Sequence, residues 1–456
     1  MNKHPSALRQ RMRLRRALTV GAVAATLVVL SACSSQASTG SGDTNADKYG
    51  TKSHPITITF WGWGGPNDND AAIAEYKKLH PYVTVKSVQF TSTQPLYTKL
   101  ATVFKAGTGA PDASSMELSM LPTFAAEGGL VPITPYGGSV SDMNPASAKS
   151  SYFEGQLYTI PSDSAPAVMY YRADLFKKYN IPVPTTWDQY LSDAKTLKKD
   201  DPTAYMTFAD PGDSTATLGL IWQAGGQPFQ LKGTKDLSIN LGDAGSVKYA
   251  NLWSTMLKDQ LVKPDPAFTS TWFTELGNGT YATWLTGAWG ASTLATNIPQ
   301  TAGDWRVAPL PEWTAGSPAS ALMGGSGGAV TKASTHKAAA AAWLQFFGED
   351  WPKISGHGGA SSFPATLKVE NDPSFVATPS KILGNQLDVP VYKKASKSVV
   401  PGWQFVPYNL YANSIFKDTV GQEFASGFNV EAGLKAWQAQ LATYGKSQGF
   451  SVKTGG

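Results

Sequence analysis

Two carboxylates and a set of tryptophans are the residues of this 456-residue chain best placed to do chemistry. Glu117 comes after the turn Gly107 to Pro111, and Asp163 comes just after Ile160-Pro161. Both read as loop residues, where a solvated cap is the commoner fate of an acid. A pair of carboxylates beside aromatic rings is also what glycoside hydrolysis requires, one acting as acid and the other as base or nucleophile. Trp61 and Trp63 flank Gly62 at the end of a β-branched run, Trp289 lies between Gly287-Ala288 and Gly290, and Trp403 lies in Pro401-Gly402-Trp403-Gln404-Phe405. A tryptophan among glycines has little local structure to pack into, so each ring is either a stacking platform for a ligand or a piece of core.

Other motifs carry less. Gly324-Gly325-Ser326-Gly327-Gly328 has the form of a nucleophile elbow, a strained strand-to-helix turn that exposes a serine. Here Ala329-Val330 reads as strand where the elbow needs a helix, and Asp350 and His357 are too close together to fill the usual triad order. The patch reads instead as a place where the chain crosses between units. Ser192-Asp193-Ala194-Lys195 with Lys453-Thr454-Gly455 copies pieces of penicillin-binding motifs, but no Ser-Asp-Asn lies between them. Beyond His4, the histidines are His54, His80, His336 and His357, none within a helical turn of another, so no metal cluster is written and no cofactor is called for.

The elements that position these residues alternate. Pro55-Ile56-Thr57-Ile58-Thr59-Phe60-Trp61 is a strand, and Asn67, Asp68 or Asn69 caps a helix through Ile73, Tyr76 and Leu79. Val83 to Val88 is a second strand, and a helix covers Leu96 to Phe104. The rhythm strand, helix, strand, helix predicts a mainly parallel sheet and an α/β class, with ligands held beyond the carboxyl ends of strands, where Trp61, Trp63 and Glu117 fall. A second unit begins near Ala165 with a strand over Val168 to Tyr171. It continues in helices over Asp174 to Tyr179, Trp187 to Lys199 capped by Thr186, Ser246 to Gln260, Thr271 to Gly277 and Ala338 to Phe347.

Residues 9–33 predict where the protein works. Five arginines alternate with other residues up to Arg16, an uncharged apolar run extends from Ala17 to Leu30, and Leu30-Ser31-Ala32-Cys33 closes the segment. That is an export signal ending in a lipoprotein box, because the apolar run is short for a bilayer-spanning helix and small residues precede the cut. Cys33 is the only cysteine in the chain, so a disulfide within it is excluded and lipidation is the simplest use of the thiol. Ser34 to Tyr49 has the composition of a flexible tether. Removing Lys3 and the five leader arginines leaves 32 basic against 33 acidic residues, a net charge of −1. A near-neutral body without basic runs excludes nucleic acid as a partner. With 14 Trp, 18 Tyr and 19 Phe against only 16% charged residues, some of the rings are expected to line a cleft.

By Phe153-Glu154-Gly155-Gln156-Leu157-Tyr158-Thr159-Ile160-Pro161, Met169-Tyr170-Tyr171-Arg172-Ala173-Asp174-Leu175-Phe176, Pro184-Thr185-Thr186-Trp187, Gly287-Ala288-Trp289, Trp305 to Pro311 and Ser362 to Thr366, the chain resembles the sugar-binding lipoproteins of ATP-driven importers, the family 1 extracellular solute-binding proteins. The resemblance implies two discontinuous α/β lobes joined by a hinge, with a carbohydrate in the cleft between them and membrane permease subunits as partners. The organisation it implies is a signal peptide over 1–32, a lipidated tether over 33–54, lobe I over 55–164, lobe II over 165–324, a return to lobe I over 325–375, and a segment over 376–456 completing lobe II and the hinge. It makes Glu117 and Asp163 acceptors for sugar hydroxyls, Trp222, Trp289 and Trp403 stacking residues, and Gly325 and Ser326 backbone or hydroxyl contacts; Trp61 and Trp63 join them as ligand contacts by their own place at a strand end. It also implies a protein that binds rather than cleaves its sugar; with the lipoprotein box, the expectation is a monomer held at the outer face of the cytoplasmic membrane by the lipid on Cys33. Several tryptophans along one site favour an oligosaccharide.

Overall fold

A computed structural model of the chain describes residues 45–64, 67, 69–355 and 363–455. The export signal, Cys33, most of the tether, Asp68, His357 and Ser362 lie outside the described residues. The tether expected over 33–54 ends earlier than its composition implies. Asn45–Tyr49 is helical and packs on the helix Lys337–Glu349, with the Tyr49 ring stacked 4.0 Å from that of His80.

In the first lobe Ile56–Trp63 forms the opening strand, and its alternation buries Ile56, Ile58 and Phe60 on one face. It pairs in parallel with Val83–Phe90 on one side and with Ala113–Glu117 on the other. Ser326–Val330 then joins Ala113–Glu117 antiparallel and carries Thr159–Pro161 on its far edge, so the five-stranded sheet is mixed rather than mainly parallel. The reason is connectivity. A parallel neighbour needs a crossover helix, whereas this strand returns directly from the second lobe and enters from the opposite end. Lys337–Glu349 covers the sheet, with Ala339, Trp343 and Leu344 buried against Ile58 and Phe60.

The second lobe is built on the antiparallel strands Thr283–Gly287, Ala167–Arg172 and Trp305–Pro309. Its helices start where capping chemistry dictates. The Thr186 hydroxyl accepts from the Gln189 N–H at 3.2 Å to open Trp187–Asp200, and the Asp243 carboxylate accepts from the Ser246 N–H at 2.7 Å to open Ala244–Lys258. Residues expected to return to the first lobe over 325–375 divide: Ser326–Val330 and Lys337–Glu349 do, but Phe363, Val369 and Phe375 are buried with Tyr170, Trp272 and Trp305 of the second.

Three segments cross between the lobes and bond to one another. Ser162 N–H donates to Ser326 O at 2.9 Å, Ser164 N–H to Phe363 O at 2.8 Å, and Met323 N–H to Ala165 O at 2.9 Å. Away from these crossings, the Asn409 N–H of the second lobe donates to the Thr123 hydroxyl of the first at 2.9 Å.

Candidate functional site

The crossings form the floor of a cavity of about 710 Å³ whose walls are the two lobes, within the roughly 300–1,000 Å³ usual for small-molecule sites. Trp63 and Glu117, the last residues of their strands, line it from the first lobe. Glu117 is thus a strand end and not a loop residue. Its backbone N–H donates to the Tyr97 hydroxyl at 2.8 Å. Burial pushes its carboxyl up to about 7, helped by Asp213 and Asp163 and opposed by a second, side-chain hydrogen bond in which the Tyr97 hydroxyl meets the carboxylate itself.

Asp163 and the glycine patch supply the floor. Gly324 and Gly325 turn the chain at φ 92° and 91°, a backbone region that a side chain strains. Ser326 then begins a strand, the opposite of what a nucleophile elbow requires. Asp163 Oδ1 accepts from the Ser326 N–H at 2.9 Å and from its hydroxyl, so both polar groups of Ser326 are engaged within the hinge. Burial raises the Asp163 carboxyl against the pull of those bonds.

On the second lobe Trp289 lines the cavity, its ring 6.0 Å from that of Phe268 and its indole N–H donating to Met323 O at 2.8 Å in a crossing segment. Phe268 lines this space, is 52% exposed and has a left-handed backbone at φ 63°. For a bulky residue that conformation costs on the order of 1–3 kcal/mol, so the surrounding loop must hold it. It does: the Ala267 N–H donates to Asp210 Oδ2 at 2.9 Å and the Asp265 N–H to Ala209 O at 3.1 Å. Behind the loop Asp265 takes the Tyr281 hydroxyl at 2.5 Å and faces Lys263 at 3.6 Å.

Three expected ligand contacts fall elsewhere. Trp222 is 5% exposed, donates its indole N–H to Val400 O at 2.6 Å and stacks on Trp403 at 5.0 Å and 5°. Both rings belong to the second lobe's core, where Phe229 and Phe405 meet Trp403 edge-on. Trp61 shares a strand face with Trp63 but sits two residues deeper and packs on Phe90 at 5.4 Å, outside the cavity lining. Phe268, Asp210 and Asp213 were missed by sequence reasoning. Pro264-Asp265-Pro266-Ala267-Phe268, an aromatic at the end of a proline-punctuated loop, is the signal that was available.

Two lobes with crossing strands around a lined cavity define a solute-binding protein. The chain belongs to the bacterial extracellular solute-binding protein family, whose model matches residues 66–350; this is a family of binders and not of enzymes. It is 25% identical over 315 residues to the arabinooligosaccharide-binding protein of Bacillus subtilis (strain 168), spanning 66% of this chain and 71% of that one. It is 25% identical over 298 residues to the lactose-binding protein of Rhizobium radiobacter, spanning 61% of this chain and 67% of that one. Among solved structures, the ABC transporter associated binding protein of B. animalis subsp. lactis Bl-04 in complex with β-1,6-galactobiose matches at 30% identity and a TM-score of 0.76, covering 88% of this chain and all of that one. The galacto-N-biose/lacto-N-biose I-binding protein of Bifidobacterium longum shares the fold at a TM-score of 0.76 and 22% identity, covering 88% of this chain and 99% of that one.

Proposed function

We propose that this protein captures a carbohydrate, an oligosaccharide by the roughly 710 Å³ of its cavity and the several aromatic rings that line it, and delivers it to the permease subunits of an ABC importer. The observation that carries the reading is the convergence of Trp63, Phe268 and Trp289 with Glu117 and Asp163 on one cavity between two lobes. A sugar ring presents an apolar C–H face and a belt of hydroxyls. Aromatic planes bury the face, and hydrogen bonds from the hydroxyls to charged groups contribute roughly 1.5–3 kcal/mol each. Glu117 from one wall and Asp163 from the floor accept such bonds, Asp163 through the oxygen that Ser326 does not use. Relatives named for arabinooligosaccharide and lactose binding, and one complexed with galactobiose, support the same chemistry.

The lobes close on the sugar, because a cleft lined from both sides gains contacts only when shut. Export and lipidation at Cys33 hold the protein at the outer face of the cytoplasmic membrane. Among the described residues no helix is long and apolar enough to cross a membrane. The experiment is calorimetric titration of the mature protein with β-1,6-galactobiose, lactose and arabinotriose, with the sugars assayed afterwards for cleavage. Saturable binding without turnover is the expected result; turnover that requires Glu117 would overturn it. Cys33→Ser is expected to move the protein from the membrane fraction to the soluble one.

A further inference from the structure

The cavity carries four carboxylates and no balancing base. Glu117, Asp163, Asp210 and Asp213 line it, and no lysine, arginine or histidine does so among the described residues. None of the four forms an ion pair among the described residues. They are also distributed in a telling way. Glu117 ends a strand of the first lobe and Asp163 lies in the crossing segment, whereas Asp210 and Asp213 precede the helix Thr215–Gln223 of the second lobe. Asp213 is fixed there, its Oδ1 accepting from the Thr215 N–H at 2.9 Å and hydroxyl at 2.7 Å. Closing the lobes therefore brings like charges together across the space the ligand must fill.

We propose that the cleft is a charge filter: it takes saccharides that are uncharged or bear an amine and turns away those bearing a carboxylate, sulfate or phosphate, with Glu117 and Asp213 on opposite walls setting the sign. This rests on the carbohydrate reading and adds the substrate class to it. The physics is rejection more than attraction. An anionic substituent between these walls meets the Asp213 carboxylate on one side and, as pH rises through the raised midpoint of Glu117, a second carboxylate on the other, with no base to pair with, and specificity built this way acts by penalising the wrong ligand. Hydroxyls donate to the same carboxylates without penalty, and an ammonium relieves the repulsion between the walls. Burial is the main reason the Glu117 carboxyl is raised, and Asp213 and Asp163 add to it in the free protein.

Two measurements test it. The first titrates mature protein with β-1,6-galactobiose, its 2-amino-2-deoxy counterpart and galactobiose 6′-phosphate. The expected result is a phosphate form at least tenfold weaker than galactobiose and an amino form at least as tight, with Asp213→Asn narrowing the gap between neutral and phosphorylated sugar. A phosphorylated sugar binding within threefold of the neutral one would overturn the filter. If none of the three binds, the carbohydrate reading loses support, and the filter is decided by the second measurement, which needs no sugar. Carbon NMR of the Glu117 carboxyl, assigned with Glu117→Gln, should show a titration midpoint that falls in Asp213→Asn; an unchanged midpoint would show that the two walls do not interact and would overturn it.

Discussion

Trp289 and Trp403 stand in the same kind of sequence, each beside a glycine in a turn-rich stretch, and the fold uses them in opposite ways. Trp289 opens a helix at the rim of the cavity, reaches the hinge through Met323 O and holds Phe268 beside it. Trp403 is stacked face to face on Trp222 inside the second lobe. Glycine beside a tryptophan thus says that something large approaches the backbone closely, not that the ring is free. At Gly287 an added Cβ would stand 2.6 Å from the Trp289 ring nitrogen and 2.4 Å from Met323 O, and at Gly402 it would meet Gln227 at 2.6 Å. What differs between the sites is the far side of each ring, which local sequence does not describe.

The largest separation of the two regions should come from truncating the core ring. Trp222→Ala removes a buried indole and its bond to Val400, so unfolding in urea should show a loss of about 3–5 kcal/mol, while the folded fraction keeps its affinity for sugar. Wild-type stability with weakened binding would return Trp222 to the ligand site. Glu117→Gln keeps the shape and removes a charge-assisted acceptor, so calorimetry should record a loss of about 1–3 kcal/mol in binding a neutral sugar. Phe268→Ala should weaken binding roughly tenfold, about 1.4 kcal/mol, with little loss of stability, because its ring is exposed to the cavity and its backbone conformation is strained. Trp289→Ala should do some of both, since this residue touches the cavity and the hinge.

A pH effect is confined to the cleft wall. Glu117 holds its proton up to about 7 when folded, above its ordinary value of 4.5. The folded state therefore binds more protons than the unfolded one between about pH 4.5 and 7, and its stability is present in full below that window and falls as pH rises through it. Glu117→Gln should flatten that part of the stability profile, measured by urea unfolding at pH 5 and pH 7.5; an unchanged slope would mean that the carboxyl titrates normally.

The periodic elements were legible because their burial is written locally. Alternation in Ile56 to Phe60, the Thr186 cap and the alanine-rich helix Lys337–Glu349 each carry their own signal. The mixed sheet was not legible, because the antiparallel entry of Ser326–Val330 depends on where the chain has been and not on the strand's residues. Resemblance located Glu117, Asp163 and the glycine turn, and the cavity lining includes them all. It could not reveal that Ser326 is committed to Asp163, nor find Phe268, whose role depends on Asp210 and Asp265 bracing its loop from a distance.

The contrast between cleft and core is most directly tested by a crystal structure of the mature protein with whichever of β-1,6-galactobiose, lactose or arabinotriose binds most tightly. The expected density lies between the lobes, with a sugar ring against Phe268 and Trp289 and a hydroxyl within about 3 Å of Glu117. Sugar seated against Trp403, or outside the interlobe cavity with Glu117 and Phe268 untouched, would contradict the assignment.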